Sequence, residues 1–165
     1  MVAQIDFKHE RGSLGRAREV VTWLFERFTY VSDAKKYGKT DHWTGALTQL
    51  TKTGKVEDDC DGFGRLCMTL FSHLGGFEQA DIAECIVDVN PTDNKPFDHH
   101  IAAVCAGGTW YYAHCWTGEL LTEDEITNGW YKLPVGHNAV PLKIIQHRRA
   151  DQSENFDGKP RKARG

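Results

Sequence analysis

The sequence predicts an α+β fold in which a helix carrying a cysteine in its first turn packs on a small antiparallel β-sheet. Three observations lead there. Two stretches in the first half repeat apolar residues at helical spacing: Ala17, Val20, Val21, Leu24, Phe25 and Phe28, and later Phe63, Leu66, Cys67, Leu70, Phe71 and Leu74. The second half turns to short β-branched runs broken by turn residues. Helices followed by strands, rather than the two in alternation, is the order of an α+β domain.

The elements follow in chain order. Ser13 is placed to cap a first helix running to about Tyr30. Val31 to Gly54 reads as loop, with Gly38, Gly45 and Gly54 and the cluster Asp41-His42-Trp43. Asp58 or Asp59 can cap the cysteine helix, and Gly75-Gly76 supplies its stop. Ile82 to Val89 is a strand closed by the turn residues Pro91-Thr92-Asp93-Asn94. His100 to Cys105 and Trp110 to Ala113 form a hairpin bent at Gly107-Gly108. Thr122-Glu123-Asp124-Glu125 is a capping box opening a short helix. Val140 to Gln146 is the last strand. Residues 1–147 thus form one domain, and 148–165 read as a basic, disordered tail almost without apolar residues.

Bulk composition narrows the partners. The chain has 165 residues, 40% hydrophobic and 26% charged, enough for one domain with its own core. A net charge of −3 gives no reason to expect nucleic acid or an anionic membrane as partner. No stretch approaches the roughly 18 apolar residues of a membrane span. Met1 to Arg11 lacks the apolar centre of a signal peptide, and the five cysteines are odd in number without CxxC spacing. The default expectation is a reduced, cytoplasmic protein, with export or virion association left open.

The chemistry concentrates at Asp59-Cys60-Asp61. A thiol at a helix N-terminus feels free N–H donors and the positive end of the helix dipole, which favour thiolate. The flanking carboxylates oppose that, so a histidine or another cation has to help. His99 and His100 lie about 40 residues downstream. Cys67 and Cys105 fit the core instead. Neighbouring strand residues face opposite ways, so only one of His99 and His100 can point at the thiol. With Gly107-Gly108 as a two-residue turn, Thr109 pairs with Ala106 and His114 with Ile101, which puts His114 on the face of His99. That register favours His99; a one-residue bulge would favour His100. A different class is metal binding, with zinc ligands drawn from Cys60, one of the two adjacent histidines, and His114 or Cys115.

These residues resemble the bacterial transglutaminase-like cysteine proteinases of the papain/transglutaminase-like superfamily. That family carries a D-x-W element, then G-D-C-[ED]-[DG]-[YF], then a strand H-A-V-L-x-V and, after a short hairpin, L-D-N. Asp41-His42-Trp43, Asp59-Cys60-Asp61-Gly62-Phe63, Asp98-His99-His100-Ile101-Ala102-Ala103-Val104 and Ala113-His114-Cys115 are the matching stretches, over roughly residues 15 to 130. Three positions depart: Asp58 stands for glycine, His114 for the third catalytic aspartate, and Cys115 for asparagine.

The resemblance implies a thiol protease or related amide hydrolase, working by acyl transfer from a protein or peptide substrate. Cys60 would be its nucleophile, His99 or His100 its base, and His114 its orienting residue. The backbone N–H of Cys60 and a group from the upstream loop, Trp43 or Gln49, would hold the oxyanion. No cofactor is required, although some relatives bind calcium through acidic residues placed like Asp59 and Asp61; helix capping is the simpler reading of that pair. The alternative is a catalytically impaired module that binds peptide or serves as a structural part of a larger assembly, such as that of a phage or a secretion system.

Overall fold

A computed structural model describes residues 5–31, 46–88, 98–113, 118–128 and 143–152. Helix α1 (Leu14–Phe25) begins at Ser13, whose hydroxyl accepts the Arg16 N–H at 3.1 Å. It buries Ala17, Val20, Val21 and Leu24. The helix ends earlier than the apolar stripe suggests. The N–H groups of Glu26 and Arg27 bond back to Thr22 and Leu24, and Phe28–Tyr30 continues as strand β1. An aromatic and β-branched triplet suits a pleated edge better than a fifth helical turn.

The stretch expected to be loop contains helix α2 (Ala46–Thr53), built around buried Leu50. Gly54, at φ +73°, closes it by donating to the Leu50 carbonyl. Strand β2 (Val56–Asp58) then pairs parallel to β1 and leads directly into helix α3 (Cys60–His73). Asp59 caps α3, accepting the Gly62 N–H at 3.2 Å. The buried face of α3 includes Phe63, Leu66, Cys67, Leu70 and Phe71, the stripe read from the sequence. Phe63 meets Phe28 edge to face at 4.9 Å, which joins α3 to β1.

The remaining strands are β3 (Ile82–Asp88), β4 (Asp98–Ala106), β5 (Thr109–Ala113), β6 (Leu120–Thr122) and β7 (Lys143–Arg149). They form one sheet in the order β6-β5-β4-β3-β7, antiparallel throughout. Gly107 and Gly108, at φ +61° and +81°, make the two-residue bend that pairs Ala106 with Thr109. A short helix α4 (Glu123–Thr127) opens with the reciprocal Thr122–Glu125 capping box.

Alternation along the strands divides the core in two. Ile82, Ala102, Val104, Ala106 and Ala113 face α1 and α3, while Ala83, Cys85, Val87, Ile101, Ala103, Tyr112 and Leu121 lie on the opposite face with Ile126 of α4. The boundary at residue 148 is corrected: β7 pairs with β3 through Arg149, and Ala150 is fully buried in the turn that follows. Backbone pairing on an edge strand does not require apolar side chains, so the charge of Arg148 and Arg149 hid the end of the strand. No helix among the described residues is long and apolar enough to cross a membrane.

Candidate active site

Cys60 is the first residue of α3, at the end of β2 and opposite the start of β4. Its sulfur takes backbone hydrogen bonds from His100 and Asp61, which tie the helix start to the β4 backbone. Burial, and to a lesser extent the charges of Asp61 and Asp59, push the thiol up to about 12 against those two bonds. The helix terminus alone therefore does not ionise it.

His100 lies on the same side of the sheet as α3 and is 7% exposed. Its ring rests against the helix at Gly64, where an added Cβ would overlap Nδ1 and Cε1. Gly64 stands four residues after Cys60, so the two share a helical face. The ring's Nε2 lies 3.5 Å from the Glu84 carboxylate on β3, and both side chains are buried. Its Nδ1 is buried on the helix side with no hydrogen-bond partner among the described residues.

His99 sits elsewhere. It pairs with Val87 across the strands and is 1% exposed, on the sheet face turned away from α3. The preference for His99 is thus corrected. The hairpin register was read as the structure has it, from Ala106–Thr109 to Ala102–Ala113. His114, used as the marker of the thiol's face, leads to His99, whereas the helix contacts the face of Ala102 and Val104.

The other expected site residues divide. His114 and Trp43, with Cys115, lie outside the described residues. Gln49 is half-buried on α2, and its side-chain oxygen accepts the Glu57 N–H at 3.0 Å, a strap between α2 and β2. Asp59 is engaged as the α3 cap, and Asp58 accepts the Asp59 N–H at 2.9 Å. Glu84 was not anticipated. Its signal was present: one carboxylate inside the apolar strand Ile82-Ala83-Glu84-Cys85-Ile86-Val87, on the face that alternation turns inward.

No family model and no curated protein matches the sequence. Solved structures do match the fold. Legionella pneumophila LapG is similar with a TM-score of 0.56 at 12% identity, over 87% of this chain and 70% of LapG. Its calcium-bound form gives 0.57 at 12% identity over 82% and 65% of the two chains. The EGTA-treated form gives 0.52 at 11% identity over 87% and 75%. A helix with cysteine at its first turn, set against an antiparallel sheet, is thus an α+β fold shared with LapG.

Proposed function

We propose that the protein is a cysteine-dependent amide or peptide hydrolase with Cys60 as nucleophile and His100 as general base. One observation carries this reading. The thiol at the start of α3 bonds to the backbone of the residue whose imidazole packs on the same helical face. The fold shared with LapG supports a protein or peptide substrate.

The reaction follows from these groups. His100 takes the thiol proton, and the sulfur attacks the carbonyl carbon, placing negative charge on the carbonyl oxygen. The Cys60 N–H at the helix start is the donor assigned to that charge. The C–N bond breaks as imidazolium returns its proton to the leaving amine, which leaves a thioester. Water, deprotonated by His100, then releases the acid and the free thiol. An amine admitted in place of water would give transamidation through the same intermediate.

Ionisation at neutral pH needs the imidazolium. With the thiol otherwise pushed up to about 12, only a cation beside it makes thiolate the ground state. A second reading draws on the same fact. If the ring does not supply that charge, the buried thiol is inert and the fold serves to bind peptide.

Calcium comes into question because LapG has calcium-bound and EGTA-treated structures. The described residues do not fit it. Calcium takes six to eight oxygen ligands, yet Asp59 is committed to the helix cap, and no three acidic, histidine or cysteine side chains gather around a common point among the described residues. No step is assigned to a metal.

The deciding experiment is alkylation by iodoacetamide against pH, resolved by cysteine, for the wild type, His99→Ala and His100→Ala. The hydrolase reading expects Cys60 to react from about pH 6 in the first two and to lose that limb in the third. If Cys60 reacts only above about pH 8.5 in all three, the binding-module reading replaces it.

A further inference from the structure

The pattern this sequence resembles ends in an aspartate that orients the histidine, and His114 occupies that place. A neutral side chain there brings no negative charge to stabilise imidazolium. The structure offers a carboxylate on the other side of the ring.

Glu84 pairs across the sheet with Ala102, and His100 pairs with Ile86, so Glu84 and His100 are diagonal neighbours on the face toward α3. Diagonal positions on antiparallel strands lie about 7–8 Å apart, within reach of a long side chain. Glutamate bridges that gap to bring Oε2 within 3.5 Å of Nε2. The contact is loose, as hydrogen bonds of a free site often are before substrate closes it. Glu84 is only 7% exposed, and a carboxylate is costly to bury unless hydrogen bonds or a cation compensate it. The opposite ring nitrogen, Nδ1, is buried against Gly64 with no hydrogen-bond partner among the described residues.

We propose that Glu84 is the positioning residue of this site, receiving the Nε2–H of His100 so that Nδ1 carries the lone pair turned toward the cysteine helix. The proposal rests on the hydrolase reading and deepens it. A neutral imidazole has one N–H, so fixing it at Nε2 makes Nδ1 the base. When Nδ1 takes the Cys60 proton, the ring becomes a cation facing a carboxylate, and that charge is held. The support comes from β3, the neighbour of β4 on the side away from β5. Other titratable groups turned toward this part of the sheet are Cys60, Asp59 and Asp61 at the start of α3, Tyr111 on β5 and Asp88 on β3. Arg148 on β7 stands opposite Glu84 in the register.

The test uses the full chain with 15N-labelled histidine. In Cys60→Ala, which has no thiol proton to give up, the neutral His100 ring is expected as the Nε2–H tautomer, with protonated Nε2 and bare Nδ1. Glu84→Gln keeps the shape and removes the charge. It is expected to slow alkylation of Cys60 at pH 6–7 by roughly tenfold, because the imidazolium loses its carboxylate partner. Circular dichroism confirms that the variant is folded. An Nδ1–H tautomer in Cys60→Ala overturns the proposal without any change at Glu84. So does a Glu84→Gln variant whose Cys60 alkylation profile matches the wild type. A wild type whose Cys60 shows no His100-dependent reactivity instead overturns the hydrolase reading, and the tautomer then reports separately on the Glu84–His100 contact.

Discussion

Gly64 sets how closely His100 can approach the cysteine helix. It lies inside α3, where glycine costs about 1 kcal/mol of helix stability relative to alanine. A Cβ there would overlap Nδ1 and Cε1 of the ring. The expected outcome for Gly64→Ala is therefore a displaced imidazole: loss of Cys60 alkylation below about pH 7 in a helix with improved intrinsic propensity. Alkylation with a parallel thermal melt checks it, and retention of the low-pH limb would show that the close approach is not needed. Asp59 allows a second test of the thiol. Asn caps helices about as well as Asp, and the Asp59 charge is among the causes that hold the Cys60 pKa up. Asp59→Asn should then lower that pKa and raise the alkylation rate at a given pH, with little change in melting temperature. At this scale the cysteine was legible, because a helix start and its flanking acids are local facts. The choice between His99 and His100 was not, because strand alternation relates the two without saying which face a helix covers. Glu84 went unnoticed for a related reason: its partner lies on another strand, at a diagonal that no local pattern displays.

Elements were most legible where apolar spacing and caps agreed. α3, the β4–β5 hairpin and α4 have both kinds of signal, and each is found at its expected place. α2 carries one deeply buried residue in a glycine-rich stretch, so its pattern was too thin to read. Phe28 continues the helical stripe by spacing alone and so draws β1 into the preceding helix, although its ring packs on Phe63 from a strand. That contact gives a test of how β1 and β2 present α3. Phe63 is fully buried and lies three residues beyond the thiol. Phe63→Ala is expected to cost about 3–5 kcal/mol, read by urea denaturation. Because the lost ring joins the helix to β1, the low-pH reactivity of Cys60 should fall as well. Leu70→Ala, at the far end of the helix, should cost about 2–5 kcal/mol and leave the Cys60 pH profile in place. Equal effects of the two substitutions on that profile would show that the N-terminal anchoring of α3 has no special part.

For the molecule as a whole, the sheet separates two apolar layers, and each holds a thiol that folding keeps neutral. Cys67 lies in the helix-side layer and Cys85 in the other, and burial pushes both well above the ordinary thiol range. Cys60 at the edge is pushed up to about 12 by the same cause, aided by its acidic neighbours. A raised folded-state pKa means that the unfolded chain releases these protons first. Their contribution to stability is complete below the unfolded thiol pKa of about 8.5 and is lost as pH rises toward the folded values. Tyr112, raised mainly by burial, adds to the loss above about pH 10. Between pH 8 and pH 10 the fold should thus lose stability on the order of 1–2 kcal/mol per buried thiol, measured by urea unfolding under reducing conditions. Cys85→Ala should flatten the slope by one thiol, at the cost of a small cavity. An imidazolium–thiolate pair of His100 and Cys60 holds the same single proton as a neutral thiol beside a neutral ring, so the edge thiol contributes to the alkaline loss in either form. Cys60→Ala should then flatten the slope between pH 8 and pH 10 by about one thiol, as Cys85→Ala does. An unchanged slope would show that the folded chain holds no extra proton at the helix start, and would count against both a buried neutral thiol and an ion pair there, by a measurement that needs no substrate.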